Sequence, residues 1–186
     1  MKYFAIVIDL NQELEKHARE EWRLLEEQFS IQFISKNSPC PHIAIESGLY
    51  GDENKVLEIM QEVASQSPPF TIMGNGLGVF VGQTPVIHIR WVNNKSLINL
   101  RIKFGEAFEK QCQAPNGTLS GYRENPDWLP KTTLAYKDSS YENLPDVLKL
   151  LQRMPFDSKL EVSQLTLYEY SEGNPEKQLN TVTLSG

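Results

Sequence analysis

The chain has 186 residues, 40% hydrophobic and 23% charged, with 11 Gly and 11 Pro; this is the composition of a globular domain with a true core and excludes disorder, collagen and coiled coil. Eighteen Lys plus Arg against 24 Asp plus Glu leave a net charge of −6, which excludes a broad basic face for duplex DNA but leaves room for a small phosphate-binding cleft. Cys40 and Cys112 belong to no CxxC pair and are too few for a disulfide framework, so no zinc site and a reducing, cytoplasmic setting are expected. The apolar run from Met1 is stopped by Asp9, and no segment reaches the ~20 apolar residues of a membrane span, so no membrane partner is expected.

Strands and helices alternate along the chain. Tyr3 to Leu10 reads as a strand; Leu14, Ala18, Trp22, Leu25 and Phe29 then recur every three or four residues, the apolar face of a helix. A short strand is expected at Ile31 to Ile34, and another at His42 to Glu46 after the turn Ser38-Pro39-Cys40-Pro41. A second helix starts near Glu53, with Val56, Leu57, Met60, Val63 and Ala64 on one side, and Pro68-Pro69 ends it. Strands at Thr71 to Val81 and Val86 to Val92 lead into a third helix carrying Leu97, Leu100, Phe104, Ala107 and Phe108. Ala114 to Pro130 reads as a loop. A strand (Lys131 to Tyr136), a helix (Leu144 to Met154), a strand (Leu160 to Tyr170) and a terminal strand (Leu179 to Leu184) complete the chain.

A weak internal repeat runs through this pattern. Pro41 and Pro130 stand 89 residues apart, as do Glu53-Asn54 and Glu142-Asn143. Pro69-Phe70 matches Pro155-Phe156 at 86 residues, and Leu77 and Phe80 match Leu165 and Tyr168 at 88. The expected architecture is α+β, a single domain over 1–186 made of two pseudo-symmetric lobes. Each lobe is an antiparallel sheet with helices on its outer face, and a cleft lies between them.

Each repeat opens with a proline and a short strand, Pro41-His42-Ile43-Ala44-Ile45-Glu46 and Pro130-Lys131-Thr132-Thr133-Leu134-Ala135-Tyr136. Strand alternation puts His42, Ala44 and Glu46 on one face, and Lys131, Thr133 and Ala135 on the equivalent face. In this order and spacing the chain resembles the two-histidine (2H) phosphoesterases, which include 2′-5′ RNA ligase and cyclic phosphodiesterase members. That family carries two Pro-His-hydrophobic-Thr/Ser motifs, one per lobe, on strands lining a central cleft. The resemblance also covers the opening strand, the long first helix and the aromatic lead-in Trp128-Leu129-Pro130.

The resemblance implies metal-free, cofactor-free, in-line attack on a 2′,3′-cyclic phosphate. One imidazole takes a proton from water, the other gives one to the leaving oxygen, and a hydroxyl from each motif binds the phosphate. Here each motif keeps one functional group: Ala44 stands in the hydroxyl position of the first, and Lys131 in the imidazole position of the second. Histidine, with an unperturbed pKa near 6.5, suits either proton-transfer role, whereas lysine at ~10.4 stays charged. The expected roles are therefore His42 as base, Lys131 as stabiliser of phosphorane charge and Thr133 as phosphate ligand. Three readings stay open: a phosphoesterase of weak or altered activity, a non-catalytic nucleotide or RNA-end binding module with a vestigial active site, and a scaffold whose cleft is vestigial.

Other residues are candidates for the same cleft. His88 and Arg90 share a face of the strand Val86 to Val92; His88 is a candidate replacement imidazole and Arg90 a bidentate phosphate ligand. Tyr168 and Tyr170 are candidates for stacking a base, and Glu46 for orienting His42. Gly74-Asn75-Gly76-Leu77-Gly78 lacks the dinucleotide-loop spacing and reads as a bulge or bend. The expected partner is a small nucleotide or RNA end bound by a monomer.

Overall fold

Alternation along the first strand sorts its side chains onto two faces. In β1 (Lys2–Asp9), Phe4, Ile6 and Ile8 enter the main core, while Ala5 and Val7 join Tyr168 in a small cluster on the opposite face. The structure is a computed structural model that describes residues 2–112, 119–120, 128–153, 158–171 and 174–186. After β1 come α1 (Gln12–Phe29), α2 (Phe33–Asn37), β2 (His42–Gly51), α3 (Glu53–Ser65), β3 (Phe70–Phe80), β4 (Val86–Trp91) and α4 (Lys95–Cys112). Then follow β5 (Leu119–Ser120), β6 (Lys131–Ala135), α5 (Leu144–Leu151), β7 (Lys159–Val162), β8 (Gln164–Ser171) and β9 (Asn174–Thr183).

The helices form where caps and periodicity agree. Asn11 accepts from the Leu14 backbone N–H at 3.0 Å to start α1, and Ser30, at φ 58°, closes it in a left-handed cap. Asp52 caps α3 in the same way through the Asn54 N–H. Leu14, Trp22 and Leu25 of α1, Val56, Met60 and Val63 of α3, and Leu97, Phe104 and Phe108 of α4 all enter one core. Burial of each such large side chain contributes about 1.5–3 kcal/mol. Among the described residues, no helix is long and apolar enough to cross a membrane.

The strands form two antiparallel sheets, ordered β5-β2-β1-β8-β9 and β6-β4-β3-β7, and the fold is the expected two-lobed α+β architecture. The common order β2-β1-β8 and β6-β4-β3 relates the sheets by a pseudo-twofold. The repeat therefore extends further than the motif strands: β1-α1-β2-α3 corresponds to β4-α4-β6-α5, with α1 and α4 each 18 residues long. The third strand of each unit, β3 or β8, crosses into the other unit's sheet, so neither lobe is one continuous repeat. The ladders keep the 88-residue offset: Val7 faces Thr166 and Ala5 faces Tyr168 as His88 faces Gly78 and Val86 faces Phe80.

Three local expectations are corrected. The segment expected as a strand at Ile31 to Ile34 leads into the helix α2, because the Asp138 carboxylate accepts from the Gln32 and Phe33 N–H groups, both at 2.7 Å, and so nucleates a helical turn. The single strand expected from Leu160 to Tyr170 is two, broken at Ser163. Residues of the main core fall at even positions before the break, Leu160 and Val162, and at odd positions after it, Leu165 and Leu167; β7 joins one sheet and β8 the other. The terminal strand begins at Asn174 rather than Leu179, because β9 pairs along β8 as far back as Ser171. Most of the expected loop Ala114 to Pro130, the helix end at Met154 and the Pro155-Phe156 match lie outside the described residues.

Candidate functional site

The first half of the site lies on the sheet face away from the core, where β1, β2 and β8 run side by side. His42 opens β2 directly opposite Asp9, the last residue of β1. Its Nδ1 lies 3.1 Å from the Cys40 carbonyl oxygen. A carbonyl only accepts, so Nδ1 carries the proton of the neutral ring and Nε2 presents a lone pair, the form a general base needs. The ring packs against Tyr168 at 5.6 Å between centroids.

Beneath His42 lies a polar network that the sequence reading did not find. The Asp9 carboxylate accepts from the Thr166 hydroxyl at 2.6 Å, the Tyr168 hydroxyl at 2.9 Å and the Cys40 thiol at 3.1 Å. Burial pushes the Cys40 thiol up to about 12, which makes it a structural donor and not a nucleophile. Tyr168 is only 1% exposed and its hydroxyl is committed to Asp9. It therefore has no open face for a base, and the stacking role expected of it is corrected to one of supporting the His42 ring.

The second half lies on the equivalent face of the other sheet. Thr133 stands opposite His88, and Lys131 opposite Arg90. Lys131 Nζ donates to Thr133 Oγ1 at 2.9 Å, which leaves the threonine O–H free to donate to a ligand oxygen. Desolvation lowers the Lys131 pKa from its ordinary value. Among the described residues no carboxylate pairs with Lys131 or with the exposed Arg90. Two cations without such an anion, beside a free hydroxyl donor, suit a phosphate.

His88 belongs to this face but not as a proton donor. It is 1% exposed, its Nδ1 lies 3.1 Å from the Val86 carbonyl oxygen, and its Nε2 has no partner among the described residues. Burial lowers its pKa, so it stays neutral and cannot replace the missing acid. Its ring occupies the space above Gly78, where an added Cβ would come within 2.5 Å of His88 Nε2 and 3.0 Å of the Arg90 stem. The glycine-rich segment is a β-bulge, as expected: the β3–β4 register slips between Gly74 and Leu77, and Gly76 takes φ +77°.

The pseudo-twofold pairs His42 with Lys131, Ala44 with Thr133 and Asp9 with Arg90. The two halves of the candidate site therefore differ in charge, one built on a carboxylate and the other on two cations. The motif strands adjoin: Trp128, in the lead-in to β6, donates from Nε1 to the Ala44 carbonyl oxygen of β2 at 3.2 Å.

Glu46 does not share the His42 face. The register of β2 on β1 slips between Val7 and Ile6, so Glu46 stands opposite Ile6, a core residue. Its carboxylate lies 3.5 Å from Arg101 Nε of α4, and the Arg101 guanidinium lies 4.8 Å from the Trp128 ring. Burial pushes the Glu46 pKa from 4.5 up to about 7, offset in part by Arg101. Between those two values the folded chain binds the extra proton, so stability falls as pH rises from about 4.5 to about 7 and then levels off, a change of order 3 kcal/mol. Glu46→Gln is expected to flatten that fall, read as urea midpoints at pH 5 and pH 8. Parallel pH curves for wild type and variant would show that Glu46 does not carry it.

The model of the 2′-5′ RNA ligase superfamily matches residues 10–174 of the chain. No curated protein matches it. Among solved structures, the Thermus thermophilus protein TT0787 superposes with a TM-score of 0.70 at 18% identity, covering 100% of this chain and 99% of its own. A structure described as a phosphoesterase gives 0.59 at 15% identity, covering 100% of both chains. Escherichia coli LigT, crystallised with 3′-AMP, gives 0.60 at 16% identity, covering 100% of this chain and 99% of that one.

Proposed function

The chain belongs to the 2′-5′ RNA ligase superfamily, and on that premise we propose that it is a one-histidine phosphoesterase that opens 2′,3′-cyclic phosphates on RNA ends or small nucleotides. His42 is the base, Lys131 stabilises charge and protonates the leaving oxygen, and Thr133 binds a phosphate oxygen. The observation that carries the reading is the contact of Lys131 Nζ with Thr133 Oγ1 at 2.9 Å, at the positions pseudo-symmetric to His42 and Ala44. A desolvated cation, unpaired with any carboxylate among the described residues, holds a hydroxyl donor ready on the strand pseudo-symmetric to the one that carries His42. Crystals of LigT with 3′-AMP, NADP+ and ATP add support for a nucleotide as ligand.

In the proposed step a water oxygen forms a bond to phosphorus as His42 Nε2 takes its proton. The P–O bond to one ribose oxygen breaks, the Lys131 ammonium protonates that oxygen, and the two groups then reset as His42 gives its proton to solvent and Lys131 regains one from it. Thr133 and Arg90 hold the equatorial oxygens, where charge develops. Ala44 supplies no second hydroxyl, and an ammonium is a poorer acid than an imidazolium near neutrality, so turnover is slower than a two-histidine site would give.

The test is ring opening of the four nucleoside 2′,3′-cyclic phosphates, followed by phosphorus NMR at pH 7, with thermal stabilisation measured in parallel. Monophosphate product above the spontaneous rate is the expected result. Stabilisation without product would replace the enzyme reading with a binding module, and neither signal would overturn both.

A further inference from the structure

Phe80 ends β3 on the same face as Gly78, His88 and Arg90, yet it is 40% exposed. Its ring rests on the His88 ring at 4.3 Å between centroids and 39° between planes. The support is built from below. Gly78 has no side chain, so the His88 ring fills the space above it; His88 is locked by Val86 and buried, and it props Phe80 outward. At the pseudo-symmetric position, Tyr168 is 1% exposed and tied to Asp9. One lobe therefore closes its aromatic ring under a histidine, and the other raises its ring on one.

We propose that Phe80 is a base-stacking residue, the subsite that makes this cleft prefer a nucleotide to a bare phosphate ester. The proposal rests on the reading of Lys131, Thr133 and Arg90 as the phosphate site. His88 stands between the two: it faces Thr133 across the β4–β6 ladder and touches Phe80 on its other side. Phe80 thus lies one side chain, that of His88, beyond Thr133. An aromatic face accepts any base, because every base has a π face, so the subsite selects for a base without selecting among the four. His88 serves as a positioning residue: neutral, buried and stiff, it holds the ring at a fixed height, and an Nε2 without a partner among the described residues is the cost of that packing.

The test compares two probes, adenosine 2′,3′-cyclic phosphate and base-free ethylene phosphate, by calorimetric titration of wild type, Phe80→Ala, Phe80→Trp and His88→Ala. Phe80→Ala is expected to weaken the adenosine probe roughly tenfold to a hundredfold and leave ethylene phosphate unchanged. Phe80→Trp is expected to retain or improve adenosine binding. His88→Ala is expected to weaken the adenosine probe alone, because Phe80 loses its support. Equal losses on both probes would mean that Phe80 shapes the phosphate site, and no loss would mean that it contacts no ligand; either overturns the stacking assignment. If wild type binds neither probe, the phosphate-site reading fails with it.

Discussion

His42→Ala is expected to slow ring opening of a 2′,3′-cyclic nucleotide by about 10²–10⁴-fold, the usual cost of removing a positioned acid or base, while changing folding stability by less than about 1 kcal/mol. The reason for the separation is where the ring's contacts lie. Its Nδ1 bonds to the Cys40 carbonyl oxygen at 3.1 Å, and its face packs on Tyr168 at 5.6 Å, so the ring is only half-buried. Tyr168, Cys40 and Thr166 keep their own bonds to Asp9 without it. Ligand affinity is expected to survive, because the cations that hold the phosphate stand on the other sheet. The discriminating measurement is kcat against KM: a fall in kcat with KM nearly constant marks a group that acts in the transition state. A large rise in KM with kcat unchanged would make His42 a ligand contact and remove it from the proton path.

Much of this arrangement is legible in the residues, and the parts that are not have identifiable causes. The repeat offsets between Pro41 and Pro130, and between Phe80 and Tyr168, place His42 and Lys131 at equivalent sites, and the ladders keep that correspondence. They do not reveal that β3 and β8 exchange sheets. Strand pairing is a long-range choice, and the only local sign is the phase slip from Val162 to Leu165. The Glu46 error has a similar origin: period-two reasoning holds only while the ladder is regular, and the slip opposite Ile6 turns the carboxylate toward Arg101. Tyr168 and Phe80 show a further limit. Each is an aromatic residue at the same repeat position, and only the neighbours, Asp9 under one and Gly78 with His88 under the other, decide which is buried and which is presented. Asp9 was hidden for another reason: its importance comes from Thr166 and Tyr168, which lie 157 and 159 residues away in the chain.

Lys131 is the residue whose replacement separates binding from chemistry. Lys131→Met removes the charge but keeps the stem, and it is expected to weaken nucleotide binding by roughly ten- to a hundredfold, because hydrogen bonds to charged groups are worth about 1.5–3 kcal/mol. Lys131→His is expected to do the opposite to the rate, raising kcat near pH 6.5 by up to about 10²-fold, because an imidazolium there gives up its proton to the leaving oxygen more readily than an ammonium. The pH profile carries the argument further. Burial lowers the Lys131 pKa from 10.5, so the wild-type rate should fall on the alkaline side at a pH below 10.5, where the ammonium is lost. In Lys131→His that limb should move down to about pH 6–7. A bound phosphate opposes the shift in wild type: it stabilises the ammonium, so binding should take up protons when measured on the alkaline limb, and Lys131→Met should not. An alkaline limb that ignores both substitutions would mean that the leaving oxygen takes its proton from water, leaving Lys131 as a phosphate ligand alone.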